Sequence, residues 1–136
     1  MSEGSTETRA VVVERDLPYP PEKIWRALTQ SHLIEEWLMK TEFEPVLGHQ
    51  FDLNAAWGAV HCEVQAIEPN QTLSYSWDTK DLRSVITWTL TPTGSGTRLR
   101  MEQTGFQPDQ EAYYRGASAQ WPNYFAAIER IVARMD

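Results

Sequence analysis

The last segment of the chain carries apolar residues at the spacing of an α-helix. They recur at steps of four, three and four residues, at Trp121, Phe125, Ile128 and Val132. Three further apolar side chains widen this face: Tyr124, Ile131 and Met135. The pattern predicts a long C-terminal helix within residues 108–136. A helix with so broad an apolar side must be buried against the rest of the chain.

Upstream of this helix the apolar positions alternate with polar ones, as in strands that bury one face. We predict strands over residues 9–17, 40–44, 50–56, 59–68, 72–78, 82–91 and 97–105. Short turns separate these strands, so they should form an antiparallel sheet whose apolar face needs a cover. The predicted inward face consists of Phe51, Leu53, Leu73, Tyr75, Trp77, Ile86, Trp88, Leu90, Leu99 and Met101.

Two short helices are predicted between the first and second strands. Pro21 suits the first turn of a helix that carries Ile24, Trp25 and Leu28. Ser31 is the predicted N-cap of the next helix, whose apolar side chains are Ile34, Trp37 and Leu38. The fold class is therefore α+β. A curved antiparallel sheet of about six to seven strands wraps around the C-terminal helix. Residues 1–8 are predicted to be a disordered tail, and residues 9–136 a single domain.

The start of the long helix carries residues that favour a bend. Asp109 is the predicted N-cap. A helix that begins there contains Gly116 and Pro122, and a proline inside a helix removes one hydrogen bond. We expect a bend near Gly116 that could gate the space beneath it. We also expect a ligand at this end of the helix rather than at the end near Met135.

Composition narrows the possible partners and the cellular compartment. The net charge of −7 argues against nucleic acid or an anionic membrane surface as a partner. No apolar run is long enough to insert into a membrane, and the polar N-terminus does not resemble a signal peptide. With a single cysteine, Cys62, a cytoplasmic protein is expected. The six tryptophans fit either tight core packing or the wall of a cavity.

Known catalytic and metal-binding patterns are missing from the sequence. His61 and Cys62 are neighbours in a strand and point to opposite faces, and His32 and His49 lack ligand spacing. We therefore predict no catalytic residues, no metal and no cofactor. Cys62 is expected to be a buried, inert thiol. A bulge at Trp57–Gly58 would instead turn His61 towards a cavity mouth.

A few polar residues share strand parity with inward apolar ones. Arg15 alternates with Val13 and Leu17, and Gln103 with Met101 and Leu99. Each either faces a ligand's polar end or is paired or exposed, because an unpaired buried polar group is costly. Three tyrosines can place a hydroxyl at the end of an apolar ring: Tyr113, Tyr114 and Tyr124.

The order and spacing of four segments resemble a known family. The segments are PYPPEKIWRALTQSHLIEEW, LSYSW, LRSVITWTLTPTGSGTRLRMEQTGF and AQWPNYFAAIERI. From Arg9 to Met135 the chain resembles the activator of heat shock protein 90 ATPase homologue-like proteins of the START-like (SRPBCC) superfamily. The resemblance implies a helix-grip fold with a deep apolar cavity between sheet and helix, but no fixed catalytic set. Eukaryotic co-chaperones of the family add an N-terminal domain, so a bacterial protein is expected here.

These observations favour a monomer or homodimer that binds a small hydrophobic or aromatic molecule, lipid-like or polyketide-like. The expected ligand contacts are Trp37, Phe51, Leu53, Tyr75, Trp77, Trp88, Met101, Gln103, Tyr113, Trp121, Tyr124 and Phe125. One alternative is an enzyme of the polyketide-cyclase or hydrolase type, which would need a paired acid and base facing the cavity. Another is a chaperone-associated or stress-associated interaction module, which would expose an apolar patch around a filled interior.

Overall fold

The strands form one seven-stranded antiparallel sheet. The computed structural model describes residues 9–135, so the tail predicted for residues 1–8 lies outside it. The elements in chain order are β1 (Arg9–Leu17), α1 (Pro21–Thr29), α2 (Ser31–Trp37), β2 (Lys40–Thr41), β3 (Gln50–Ala55), β4 (Gly58–Glu68), β5 (Thr72–Asp78), β6 (Arg83–Pro92), β7 (Thr97–Phe106) and α3 (Glu111–Arg134). The sheet order is β1-β7-β6-β5-β4-β3-β2. The predicted α+β fold, with two short helices after β1 and a long helix at the end, is confirmed.

Strand alternation correctly identified the apolar face of the sheet. All ten residues predicted to point inward are buried, and Leu73, Ile86 and Trp88 are completely inaccessible to solvent. The helices supply the other side of the core, with Ile24 and Ala27 from α1 also inaccessible. Alternation succeeds because successive strand residues point to opposite faces, and only one face of this sheet is covered.

Several predicted element boundaries were wrong, and three of them have a clear local cause. Gln30 ends α1 and also caps α2, so Ser31 is already helical and its side chain caps nothing. β2 stops at Thr41 rather than 44, although Phe43 still turns inward and packs edge-to-face on Phe51. The long helix begins after Gln110, because the Gln110 side chain accepts a hydrogen bond from the backbone N–H of Gln107 and closes a turn there.

A bulge near the end of β7 changes which residues face the core. Arg9 pairs with Phe106 and Ala10 with Thr104, so Gly105 is an extra residue in β7. Its φ of +114° lies in a region that side-chain-bearing residues rarely adopt. The extra residue shifts the alternation, and Phe106 turns inward to become fully buried. The alternation predicts a strand that ends at Gly105, so the burial of Phe106 was not predicted.

The bulge predicts a specific intolerance at Gly105. A Cβ atom there would lie 2.5 Å from the carbonyl oxygen of Arg83. We expect Gly105→Ala to lower the free energy of unfolding by about 2 kcal/mol or more, from the positive φ and the steric clash together. Urea denaturation followed by tryptophan fluorescence measures the change.

Gly94→Ala is the control, because a Cβ atom at Gly94 meets nothing within 4 Å. It should change stability by less than about 0.5 kcal/mol. Equal losses in the two variants would contradict this account of the bulge.

Candidate functional site

The long helix α3 packs closely on the sheet over only part of its length. Its buried residues all lie in the second part: Trp121, Phe125, Ile128, Ile131 and Val132. None of residues 111–120 is buried. The side of this first part nearest the sheet carries the small residues Ala112, Gly116 and Ala117, which are too short to fill the space beneath them. The helix therefore covers the sheet at its N-terminal end without filling the interior.

The space under the first part of α3 is a pocket of about 560 Å³, called here the end pocket. Its lining comes from the sheet, the β3–β4 turn, the β5–β6 loop, the segment before β2 and α3, and it is apolar and aromatic except for a few polar residues. The lining residues are Met39, Trp57, Gly58, Ala59, Trp77, Thr79, Lys80, Asp81, Leu82, Gln103, Phe106, Ala112, Tyr113, Gly116, Ala117, Gln120, Trp121 and Tyr124. The pocket lies at the end of the helix where the sequence analysis expected a ligand.

A chain of buried hydrogen bonds joins α3 to the sheet at the inner wall of the end pocket. Trp121 donates its indole N–H to Oε1 of Gln103 at 2.8 Å. Gln103 donates through Nε2 to the hydroxyl of Ser84 at 3.0 Å. Ser84 donates in turn to the backbone carbonyl of Trp77 at 2.6 Å. Gln103 is only 2% exposed, so these bonds offset the cost of removing its amide from water.

The rim of the end pocket is polar and links α3 to the β5–β6 loop. Tyr113 donates its hydroxyl to Asp81 at 3.2 Å, and Gln110 donates to the backbone carbonyl of Asp81 at 2.8 Å. The negative charge of Asp81, and then the hydrogen bond to it, raise the pKa of Tyr113 above its usual value. Trp57, in the β3–β4 turn, is 66% exposed and places a large apolar ring at the same rim.

Comparison with known proteins identifies the family. A family model described as Activator of Hsp90 ATPase homolog 1-like protein matches residues 18–133. The chain belongs to this family. A search of curated proteins found no match.

Solved structures agree with this assignment. Protein MLL2253 from Mesorhizobium loti is 57% identical, with a TM-score of 0.91 over 94% of this chain and 99% of that one. Two more distant structures are similar in fold alone. Protein BH1534 from Bacillus halodurans is 23% identical, with a TM-score of 0.83 over 93% of this chain and 99% of that one. CalU16 from Micromonospora echinospora is 19% identical, with a TM-score of 0.81 over 94% and 78% of the two chains.

In this family member, the structure brings together five of the twelve residues expected to contact a ligand. The five that line the end pocket are Trp77, Gln103, Tyr113, Trp121 and Tyr124. Indole rings of Trp77 and Trp121 lie 5.6 Å apart, and the ring of Tyr124 lies 5.0 Å from that of Trp121. Burial raises the pKa of Tyr124 above its usual value.

The other seven expected residues lie in the buried core and do not line the end pocket: Trp37, Phe51, Leu53, Tyr75, Trp88, Met101 and Phe125. Their polar groups are satisfied within the protein. Trp88 donates to the hydroxyl of Tyr75 at 3.0 Å, and Trp37 donates to the carbonyl of Ala27 at 2.8 Å. Burial raises the pKa of Tyr75 well above its usual value. Strand parity placed the five strand residues of this set on the correct face but could not show how completely the core covers them, and Trp37 and Phe125 belong to α2 and α3.

Several residues that line the end pocket were not among the ligand contacts predicted from the sequence. Met39 lies just outside a regular strand, where alternation gives no prediction, and Phe106 lies beyond the Gly105 bulge. Leu82 begins the predicted strand 82–91 and has the parity of its inward residues, but it was not among the expected ligand contacts. Trp57 occupies a turn, where an aromatic residue is unusual and could have been noticed. The small residues Ala112, Gly116 and Ala117 could have been noticed in the sequence, because their spacing indicates a side of the helix that carries only short side chains.

The remaining candidate residues take structural or exposed positions. Arg15 is exposed, with its guanidinium 5.9 Å from the ring centre of Phe125. The guanidinium of Arg9 lies 4.1 Å from the ring centre of Tyr114. His61 faces solvent and contacts Asp52 at 2.7 Å, because the bulge in β4 lies between Val64 and Ala66 rather than at Trp57–Gly58.

Cys62 is buried, and burial raises the pKa of its thiol far above neutrality, so it has the inert environment expected of it. Within residues 9–135, no group of three or more His, Cys, Asp or Glu side chains is placed to hold a metal ion. No helix in the same part of the chain is long and apolar enough to cross a membrane.

The helix is unbroken from Glu111 to Arg134 and contains both Gly116 and Pro122. Pro122 has no N–H to donate to the carbonyl of Ser118. The helical hydrogen bond between these two residues is therefore missing. This gap lies next to Trp121, where the packed part of α3 begins. A bend at Gly116 that gates the pocket stays a prediction.

The buried hydrogen-bond chain predicts energetic coupling between α3 and the sheet. Gln103→Met and Trp121→Phe should each lower the free energy of unfolding by about 1–3 kcal/mol, because each leaves a buried partner unsatisfied. The double variant should lose less than the sum of the two, with a coupling energy of at least about 0.5 kcal/mol. Urea denaturation of the four proteins measures the cycle.

Gln65→Met, the same replacement at an exposed strand position, should be neutral within about 0.5 kcal/mol. Strict additivity of Gln103→Met and Trp121→Phe would contradict the coupling.

Proposed function

We propose that this protein binds a small hydrophobic or aromatic molecule in the end pocket. The observation that carries the proposal is the pocket beneath the first part of α3, where none of residues 111–120 is buried, whereas the second part of the helix packs into the core. A volume of about 560 Å³ lies within the range of about 300–1,000 Å³ that is usual for small-molecule sites. Membership of the family supports a role in ligand binding, with lipid-like and polyketide-like compounds as the classes to test.

The lining residues support an apolar ligand with few polar groups. Trp77, Trp121 and Tyr124 offer aromatic surface, and Leu82 and Phe106 add apolar surface. Displacing water from such walls favours binding by roughly 25 cal/mol per Å² of apolar area buried. We propose that Trp77, Gln103, Tyr113, Trp121 and Tyr124 contact the ligand. In this proposal the seven core residues support the inner wall without touching the ligand.

The character of the ionisable residues favours binding over catalysis. Those that line the end pocket are Lys80, Asp81, Tyr113 and Tyr124. Asp81 already accepts a hydrogen bond from Tyr113, and both residues lie at the exposed rim rather than at the inner wall. A cyclase or hydrolase mechanism needs an acid and a base that can both reach the substrate. Such a pair is not formed at the inner wall.

A large side chain at position 116 of α3 should fill the end pocket and weaken binding without unfolding the protein. A side chain at Gly116 has open space around its Cβ atom. Gly116→Phe should therefore weaken binding of the neutral probe N-phenyl-1-naphthylamine at least about tenfold, a loss of about 1.4 kcal/mol. The probe's fluorescence on titration measures the affinity, and quenching of the protein's tryptophans measures it independently.

Two matched variants separate pocket filling from other effects. Gly116→Ala should keep most of the affinity and stabilise the helix by about 0.5–1 kcal/mol. Ala119→Phe adds the same ring at an exposed position of α3 that does not line the pocket, and it should bind like the wild type. Equal affinity of Gly116→Phe and Ala119→Phe would place the probe elsewhere. The absence of any response to the probe, lipids or aromatic compounds would contradict the proposed function.

A further inference from the structure

The hydrogen bonds at the inner wall fix the orientation of the Gln103 amide. An indole nitrogen can only donate, so the group that faces Trp121 must be the oxygen of Gln103. A backbone carbonyl can only accept, so the hydroxyl of Ser84 gives its proton to Trp77. The oxygen of Ser84 is then free to accept from the nitrogen of Gln103. Each bond in the chain has one possible direction, and rotating the amide by 180° would bring two donors face to face at Trp121.

One N–H of Gln103 is left over by this arrangement. The amide nitrogen has two N–H groups, and only Ser84 accepts from it among the described residues. Gln103 is 2% exposed and lies on the pocket wall, so water has little access to this donor. The indole N–H of Trp77, another lining residue, also has no acceptor among residues 9–135, but this nitrogen is accessible to solvent, because every buried side-chain nitrogen and oxygen in that range has a partner. Two residues that line the end pocket thus each have an N–H group free to donate to a ligand, and neither N–H can act as an acceptor.

We propose that the end pocket selects molecules that carry an uncharged hydrogen-bond-acceptor oxygen, such as a carbonyl, and that the locked amide of Gln103 donates to it. This inference rests on the proposed binding function. A ligand hydroxyl gains less, because its own proton would have to share an oxygen atom that already accepts one hydrogen bond. The oxygen of Gln103 is oriented towards Trp121, and the carbonyl of Trp77 already accepts from Ser84.

Charge at the inner wall argues for a neutral ligand group. Among residues 9–135, the one basic residue that lines the pocket is Lys80, which is exposed at the rim. A carboxylate placed against Gln103 would lose its hydration and gain no opposite charge, which is costly in a buried site. An acidic ligand would have to turn its charge outwards towards Lys80, away from the two donors.

Three ligands of nearly the same shape test the inference. 2-Acetylnaphthalene carries the acceptor oxygen, 2-isopropenylnaphthalene replaces C=O by C=CH₂, and 2-naphthoate carries a charge. Titration calorimetry of the full chain should give an affinity for the ketone about tenfold higher than for the alkene, as expected for one additional buried hydrogen bond. The ketone should also bind more tightly than the naphthoate.

Variants assign the preference to Gln103. The ratio of ketone to alkene affinity is measured within each variant, so that general changes in pocket volume or stability cancel. Gln103→Met should reduce the ratio to about two or less, and Gln65→Met, at an exposed strand position outside the pocket, should leave it unchanged. Trp121→Phe removes the donor that fixes the amide, so the ratio should fall there as well.

Infrared spectroscopy provides a test that needs no variant. The C=O stretch of bound, ¹³C-labelled 2-acetylnaphthalene should lie at lower frequency than in hexane, because a hydrogen bond weakens the carbonyl bond.

The possible failures are distinct. Equal binding of ketone and alkene to the wild type, or a hexane-like carbonyl frequency, would overturn the inference and leave the binding function standing. Tighter binding of naphthoate than of ketone, lost in Gln103→Met, would overturn the preference for a neutral group. If none of the three ligands binds and N-phenyl-1-naphthylamine also fails, the binding function itself is contradicted.

Discussion

The hydrogen bond from Trp121 to Gln103 is the interaction on which the site depends. It lies where the buried part of α3 begins, beside the end pocket. Buried polar groups must be paired. The indole N–H of Trp121 and the amide oxygen of Gln103 are at hydrogen-bond distance for only one position of α3 relative to β7. The bond therefore sets how far α3 lies above the sheet at the point where the end pocket opens. Ser84 and Trp77 extend the same constraint across β6 to β5.

The six tryptophans do not share one role. Trp37 and Trp88 pack against each other at 5.6 Å within the core, and their N–H groups bond inside the protein. Trp77 and Trp121 lie at the boundary between the core and the end pocket, and Trp57 lies exposed at its rim. The two interpretations of the composition, packing and a cavity wall, therefore apply to different members of the set.

Most of the fold followed from the sequence because strand alternation and helical spacing report which side of each element is apolar. The same patterns do not report how far apart two apolar surfaces lie. Strand parity alone could not separate Trp88, which α3 covers, from Trp77, which lines the pocket. The position of Asp81 could not be predicted either, because the loop between β5 and β6 brings this residue to the site. The bulge at Gly105 explains why Phe106 was not predicted to be buried, because one extra residue reverses the parity of all residues that follow it in the strand.

The division of α3 has a consequence for how ligand preference can evolve. The packed part fixes the helix through Phe125, Ile128 and Val132, all essentially inaccessible to solvent. Ala112 and Gly116, in the other part, are exposed and have no share in the core. Exchanging them for larger residues alters the room available to a guest molecule while the residues that hold the protein together stay as they are. Ligand preference can then change through single substitutions at these positions, and each variant along the way still folds.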